Sequence, residues 1–293
     1  MAERLLYLPL VGIMACVVMV VEPHAGKYAP AVFAAIALVF AARTWVRNPD
    51  WTSDLTMPES LVRTSPNSFK AHRLLGDSLF LARAGEADLN RVIAEADKSA
   101  AILSALPAAE QDPKPYNLAA AARIAQEQFP DAAAAAERSI AIEAAGRAEY
   151  NRRHGTQIQR QPGAAHPYRL LAKAFLGMEQ PLRAIAPATE ALSIDAMNVE
   201  AWPLLANALL GAARPDDAAI TMAQGMLVTG SQALRADLVN FYRSELEPGS
   251  CALVAGPNGP AINPNCPVVR RHLCAAAAKG NRLDYLKELR CGL

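Results

Sequence analysis

The sequence predicts an all-α protein in which an apolar N-terminal hairpin precedes an array of repeated helix pairs and a cysteine-containing cap. Three observations carry this prediction. The hydrophobic content of 52% comes mostly from Ala, while aromatic residues make up only 6%. A pattern of apolar and small residues recurs at an offset of 34 residues. Four of the five cysteines follow residue 250.

The composition narrows the fold and function classes. Ala has the highest helix propensity and lets helices pack closely. β-branched and aromatic residues are scarce beyond the N-terminus, which disfavours an all-β fold. The 29 basic and 28 acidic residues nearly balance, which argues against a nucleic-acid-binding protein. A length of 293 residues accommodates one or two domains with a real core.

The first 47 residues contain two apolar runs, over about 5–21 and 28–46, separated by a short polar loop. A membrane-spanning helix needs about 20 apolar residues. Interfacial aromatic residues stand near the ends of both runs: Tyr7, Tyr28, Trp45 and Trp51. We therefore predict a two-helix membrane hairpin over residues 1–47, with the lipid bilayer as a partner. A cleaved signal peptide is the alternative. It requires a basic start and a small-residue cleavage site, and the first four residues and residues 22–26 fit these requirements poorly.

After a linker over residues 48–65, an internal repeat organises residues 66–230. When Tyr168 is aligned with Trp202, apolar and small residues coincide along two helices at the offset of 34. The coinciding pairs are Leu171 with Leu205, Ala172 with Ala206, Phe175 with Leu209, Ala184 with Ala218, Ala188 with Met222 and Ala191 with Gly225. Small residues in both helices of a unit favour close packing within that unit.

This order of residues resembles the tetratricopeptide repeat (TPR), a 34-residue helix pair. Two earlier units, which begin near His72 and Tyr116, fit the pattern with insertions, so we predict about four repeats. The extra residues fall at 85–91 and 146–163, and the second stretch is polar and predicted to be an exposed loop. A helical bundle without repeats is the alternative.

A TPR array exposes a concave groove lined by the first helix of each pair, here called the A helix. With His72, Tyr116, Tyr168 and Trp202 counted as position four, positions two, five and nine face the groove. These positions hold Lys70, Arg73 and Asp77; Lys114, Asn117 and Ala121; His166, Arg169 and Lys173; and Glu200, Pro203 and Asn207. The first three repeats are net basic, which predicts a groove for an acidic segment or a terminal carboxylate. The alternative is a set of ordinary solvated charges.

Residues 231–293 are predicted to form helices that cap the repeat array, with a loop rich in Gly, Pro and Asn between them. Four cysteines allow three pairings. We favour Cys251–Cys266, which closes the loop, and Cys274–Cys291, which links two short helices. The spacing lacks a C-x₂-C pair, so a zinc site is disfavoured, and buried free thiols remain the alternative.

Two signals disagree about which side of the membrane holds the repeats. Three arginines flank the spans (Arg4, Arg43 and Arg47), whereas Lys27 and His24 lie in the loop between the spans. Because basic residues are in excess on the cytoplasmic side of a membrane, this distribution predicts that the repeats lie in the cytoplasm. Disulfides require an oxidising compartment and place them outside. Three arginines against one lysine is a narrow margin. We therefore follow the cysteine signal and predict that the repeats lie outside the cytoplasm.

No recognisable active site accompanies these features. The sequence lacks G-x-S-x-G, G-x-x-x-x-G-K-[ST] and H-E-x-x-H, and its five histidines are dispersed without metal-ligand spacing. We therefore predict no catalytic residues, no metal and no cofactor for this chain alone.

The first residues add a resemblance. The segment over residues 2–12, AERLLYLPLVG, resembles the A-E-R-x-L-Y-x-P-S-x-G segment of the transmembrane-and-TPR-containing O-mannosyltransferase-like family, with Leu10 where that family has Ser. Residues 43–51 and 65–72 also resemble the family's link into its repeats and the start of the first one. The catalytic acidic residue of that family lies in a loop before this segment, so the resemblance covers only a C-terminal part.

This resemblance implies a polytopic glycosyltransferase architecture whose TPR array lies outside the bacterial inner membrane. It makes Glu3, Arg4 and Tyr7 candidates for a lipid-phosphate or sugar contact, with a hydrated helix start as the alternative.

The leading functional hypothesis is a membrane-anchored, periplasmic TPR protein that binds or presents a protein partner. One alternative is the acceptor-binding part of a glycosyltransferase, active only with the missing membrane domain. Another is an envelope-assembly scaffold.

Overall fold

The computed structural model describes residues 7–82, 86–245, 251–256 and 259–291. The chain is mostly helical and divides into two compact units, one ending at Ser60 and the other beginning at Leu61. The all-α prediction is therefore confirmed.

The N-terminal unit contains two apolar helices where the two spans were predicted. Helix α1 covers Tyr7–Ala25 and α2 covers Ala29–Arg47, with a 3₁₀ turn at Gly26–Tyr28 between them. The helical stretch Gly12–Trp51 is long and apolar enough to cross a membrane, with a mean hydropathy of 1.7. Length and composition alone support this reading, so the membrane hairpin stays a prediction.

The predicted linker over residues 48–65 is largely helical. A 3₁₀ turn covers Asn48–Trp51, and α3 covers Thr56–Thr64. Hydroxyl groups organise the short bend between them, where the Thr56 hydroxyl donates to the Asp50 carbonyl at 3.1 Å. The backbone N–H of Thr56 donates to the Ser53 hydroxyl at 3.1 Å, as in a helix start capped by Ser.

The repeat region consists of four successive helix pairs. The A helices are α4 (Phe69–Leu81), α6 (Lys114–Ala125), α8 (Ala165–Gly177) and α10 (Ala201–Gly211). The B helices are α5 (Glu86–Leu103), α7 (Phe129–His154), α9 (Pro181–Ile194) and α11 (Pro215–Thr229). Each A helix packs against its own B helix and against the next A helix. Contact between successive A helices places them on the inner side of a solenoid, as predicted.

The turn from A to B repeats in three of these pairs. Glu127, Glu179 and Ala213 each adopt a left-handed conformation, with φ of 59°, 57° and 57°. The following N–H donates to the carbonyl five residues earlier, at 2.9 Å in each pair. This is the Schellman helix ending. Its recurrence fixes the same angle between A and B in pair after pair.

Small residues allow the close packing that the repeat predicts. A Cβ added at Gly225 on α11 would lie 2.5 Å from Cγ of the buried Trp202 on α10. Added at Gly76 on α4, it would lie 2.7 Å from a methyl carbon of Leu118. The apolar core on these helices is therefore built from large side chains seated against glycine or alanine.

His72 occupies the anchor position that aromatic residues hold in the later repeats. It is 5% exposed, and its Nδ1 lies 2.5 Å from the buried Glu95 carboxylate on α5. Its Nε2 lies 2.7 Å from the Pro66 carbonyl. Both ring nitrogens have partners, so His72 is a structural residue that joins α4 to α5.

The cap begins with α12 (Gln232–Glu245) and ends with α13 (Pro267–Lys279) and α14 (Leu283–Glu288). Between them the predicted loop contains an antiparallel hairpin of β1 (Leu253–Gly256) and β2 (Gly259–Ile262), in which Leu253 pairs with Ile262. Sequence reasoning missed these strands, since four-residue strands rich in Gly and Pro carry no alternating pattern.

Both favoured disulfides are confirmed. Cys251 bonds to Cys266 with 5.2 Å between their Cα atoms, and Cys274 bonds to Cys291 with 5.7 Å. The first closes the hairpin loop and the second links α13 to the segment after α14. Cys16 is a free cysteine in α1.

The cap covers the last repeat because both α12 and α13 pack against α11. His272 on α13 is 2% exposed and bridges two elements. Its Nε2 lies 2.9 Å from the Asp216 carboxylate and its Nδ1 lies 3.2 Å from the Tyr242 hydroxyl. Burial, with the Asp216 charge, raises the pKa of Tyr242 above its usual value, which keeps the phenol protonated.

One prediction inside the array was only partly correct. Residues 146–163, called the inserted segment below, were predicted to form an exposed loop, but α7 continues through them to His154. Ala and Glu residues extend the helix beyond the length that packing against α6 requires. The helix stops at Gly155, which has φ of +63°. The remaining residues form a short loop and a 3₁₀ turn at Pro162–Ala164.

Candidate functional site

The predicted groove residues lie on successive A helices, which contact each other along the array. Helices α4, α6, α8 and α10 carry them at equivalent positions. They are Lys70, Arg73 and Asp77; Lys114, Asn117 and Ala121; His166, Arg169 and Lys173; and Pro203 and Asn207, with Glu200 just before α10. Because the helices are in register, this surface, called the concave face below, offers a row of polar side chains.

Arg73 on the concave face forms an ion pair within its own helix. Its guanidinium donates to the Asp77 carboxylate at 2.5 Å, one helical turn away. Burial raises the pKa of Asp77 above its ordinary value, against the lowering effect of Arg73 and Lys114. The positive charge predicted at Arg73 is thus largely balanced by Asp77.

Arg169 is held by three neighbours. It donates to the Asn198 side-chain oxygen and to the Glu200 carboxylate, each at 2.8 Å, and lies 3.0 Å from Nδ1 of His166. Burial, together with the charges of Arg169 and Lys173, lowers the pKa of His166 below its usual 6.5. His166 is therefore neutral at pH 7.

Three lysines on the concave face differ from the arginines. Among the residues that the structure describes, no carboxylate lies within the 4.0 Å ion-pair distance of Lys70, Lys114 or Lys173. Lys114 is exposed at the start of α6 and Lys173 is half-buried on α8. The available positive charge of this face therefore comes from lysines, which the sequence could not separate from the paired arginines.

Unpartnered polar atoms also recur on this face. In the described part of the chain, four buried side-chain polar atoms have no hydrogen-bond partner. Three of them belong to position five of successive A helices: Nε of Arg73, Oδ1 of Asn117 and Nε of Arg169. Buried polar groups without partners cost free energy and are uncommon. Each of these atoms is inaccessible to solvent, so a ligand reaches them only if neighbouring side chains move.

A cavity of about 620 Å³ opens beside the middle of the concave face. Lys114, Asn117 and His166 line it from the concave face, and Pro113 and Pro167 lie at the starts of α6 and α8. The inserted segment supplies the opposite wall through Tyr150, Ile158 and Arg160, together with Ile142 on the preceding part of α7. The volume is within the usual range of ligand pockets, about 300–1,000 Å³.

Specific contacts hold the inserted segment in place. The Ile158 N–H donates to the Asn151 side-chain oxygen at 3.0 Å. Arg160 forms an ion pair with Glu190 on α9, and its guanidinium lies 5.9 Å from the centre of the Tyr168 ring. The wall is thereby attached to the next repeat at its anchor residue.

Sequence reasoning missed these wall residues. The signal that could have indicated them is the break in the 34-residue period. An insertion that carries Tyr, Ile and several arginines is unusual for a loop that only connects two helices. Two charged lining residues, Glu143 and Arg147, neutralise each other, with the guanidinium 2.9 Å from the carboxylate. Their pairing depends on a helical continuation that was not predicted.

Other predicted sites have different outcomes. Glu3 and Arg4 lie outside the described residues, as does the side chain of Tyr7. Asn207 is exposed on α10. Over the described residues, no group of three or more His, Cys, Asp or Glu side chains is placed to hold a metal ion.

Comparisons with known proteins give only distant likenesses. No family model and no curated protein matches the chain. The structure is similar to YrrB, described as a TPR protein with an unusual peptide-binding site, with 13% identity and a TM-score of 0.46 over 80% of this chain and 97% of that one. It is also similar to the APC/C hetero-tetramer Cut9–Hcn1, with 13% identity and a TM-score of 0.33 over 80% of this chain and 44% of that one. The TPR fold is therefore assigned from the helix pairs and repeated turns of this chain itself.

Proposed function

We propose that this chain is a membrane-anchored, extracytoplasmic scaffold whose concave face binds an extended acidic segment of a partner protein. The observation that carries the proposal is the row of lysines at positions 70, 114 and 173 on successive A helices, which have no ion-pair partner among the described residues. An extended acidic peptide can run along such a row and place its carboxylates beside successive lysines.

The charges of the concave face favour an acidic partner. Asp77 and Glu200 balance Arg73 and Arg169, so the lysines at positions 70, 114 and 173 supply the remaining positive charge. Hydrogen bonds between lysine and carboxylate are stronger than those between neutral groups. The face is built from helices, which position the side chains more rigidly than loops do.

Two features support the location. The apolar stretch Gly12–Trp51 supports a membrane anchor, and the two disulfides of the cap support an oxidising compartment. Together they favour the periplasmic side of a bacterial inner membrane. A polytopic glycosyltransferase subunit, suggested by the N-terminal resemblance, is one partner to test by co-purification.

The test uses the full chain in lipid nanodiscs and a fluorescein-labelled octapeptide, Gly-Ser-Gly-Asp-Phe-Asp-Gly-Ser. Fluorescence anisotropy gives the Kd of the wild type and of the double variant Lys114→Glu/Lys173→Glu. We expect the variant to bind about tenfold more weakly or worse, because two attractive charges become repulsive.

The matched control is Lys279→Glu/Lys287→Glu, which makes the same change in net charge on exposed residues of the cap. It should bind the peptide as the wild type does. Equal Kd values for the two double variants would refute the proposed groove, because the effect would then follow from net charge alone.

A further inference from the structure

The cavity beside the concave face has a wall that the regular repeat does not supply. Helix α7 and the loop after it contribute Tyr150 and Ile158, which are 46% and 43% exposed. Exposed apolar side chains that converge on one cavity mark a binding surface, whereas single ones are ordinary. The cavity shares Lys114 and Asn117 with the concave face, so one ligand can reach both.

The lining is chemically apolar despite its charged members. Glu143 is paired with Arg147, and Arg160 with Glu190. The Ser139 hydroxyl donates to the Pro113 carbonyl at 3.4 Å. Polar residues outnumber apolar ones in the lining, but most of the surface that faces the cavity is carbon, including the aliphatic parts of the polar side chains. Lys114 and Asn117 also line the cavity.

We infer that this cavity takes a bulky apolar side chain of the bound segment, next to an acidic residue that pairs with Lys114; the inference rests on the proposed function. An apolar side chain gains free energy by leaving water for this lining. The neighbouring carboxylate meets the one cation of the lining that has no ion-pair partner among the described residues. The partner is thus a segment in which an aromatic or large aliphatic residue adjoins Asp or Glu.

The experiment compares two labelled octapeptides that differ only at the central residue, Asp-Phe-Asp against Asp-Ser-Asp. In wild-type nanodiscs we expect the Phe peptide to bind about tenfold more tightly, the gain from burying one large side chain. The double variant Tyr150→Ser/Ile158→Ser should reduce that ratio to about two or less, because the wall is lost.

Two variants complete the design. Leu182→Ser removes a still more exposed apolar residue (72%) outside the cavity and should keep the tenfold ratio. Gly163→Phe fills the cavity from its edge, since an added Cβ there meets no atom within 4 Å, and it should also abolish the preference for Phe.

The outcomes separate the two proposals. Equal binding of both peptides to the wild type, with the lysine dependence retained, overturns the cavity and leaves the groove intact. A tenfold ratio that survives Tyr150→Ser/Ile158→Ser also overturns the cavity. If neither peptide binds, the proposed function fails, and this inference fails with it.

Discussion

The regular repeats bury their large side chains, whereas the inserted segment leaves most of its side chains exposed. In the repeats over residues 165–229, large side chains sit against glycine or alanine, and the turns at Glu179 and Ala213 are alike. In the inserted segment, side chains are mostly exposed, and ion pairs or single hydrogen bonds hold the chain. The 34-residue period is therefore kept where packing demands it, and residues beyond the period are free to form a wall of the cavity.

The cap keeps one turn of the regular repeats and replaces a helix by a disulfide-linked hairpin. Asn281 has φ of 53°, and the Arg282 N–H donates to the Ala277 carbonyl at 2.8 Å, the same turn as in the repeats. Asn281 follows Ala213 by 68 residues, twice the repeat length. A hairpin closed by the Cys251–Cys266 disulfide occupies the place of one helix between them, and Cys274–Cys291 links α13 to the segment after α14. The cap thus reads as a continuation of the array in which covalent links replace part of the packing.

The largest effect that separates the two regions is expected from a glycine in the repeats. In Gly225→Ala, the new Cβ lies 2.5 Å from Cγ of Trp202, which is 4% exposed and packed in the apolar core. The gain in helix propensity is about 1 kcal/mol, but the clash outweighs it. We expect a net loss of about 2 kcal/mol in the free energy of unfolding, measured by urea denaturation.

The matched substitution in the inserted segment is Gly163→Ala. No atom lies within 4 Å of the added Cβ, so stability should change by less than about 0.5 kcal/mol. A Gly225→Ala variant as stable as wild type would show that the repeats are not tightly packed, and the contrast drawn above would fail.

A smaller effect is expected from His166, where the repeat meets the cavity. Burial lowers the pKa of its folded form below the unfolded value of about 6.5. The unfolded chain then binds more protons between these two pKa values, so the free energy of unfolding falls as the pH drops through that window. The variant His166→Gln should show a shallower fall in urea titrations from pH 7 to pH 5.

The exposed His154, changed to Gln in the same way, is the control and should leave the slope as in the wild type. If His166→Gln and the wild type have the same slope, the His166 side chain is not desolvated beside Arg169.

The sequence was sufficient for features with a local signal. The anchors at Tyr168 and Trp202 were found from the period, and Cys251–Cys266 from cysteine spacing, because small-residue packing and loop closure leave marks along the chain. Ion pairs between different helices have no comparable signal in the sequence. The partnership of Arg169 with Glu200 depends on the angle between α8 and α10, and the wall around Ile158 depends on how far α7 continues. For this reason the groove was predicted as a count of charges, and its paired and unpaired members emerged only from the structure.

The most direct test of the central claim, that the departure from the repeat builds the binding site, is hydrogen exchange on the full chain with and without the Asp-Phe-Asp octapeptide. We expect bound peptide to slow exchange at backbone amides of residues 155–164 and near the start of α6. Exchange in α13 (Pro267–Lys279) should stay unchanged. Slowed exchange in the cap, with residues 155–164 unaffected, would contradict the account.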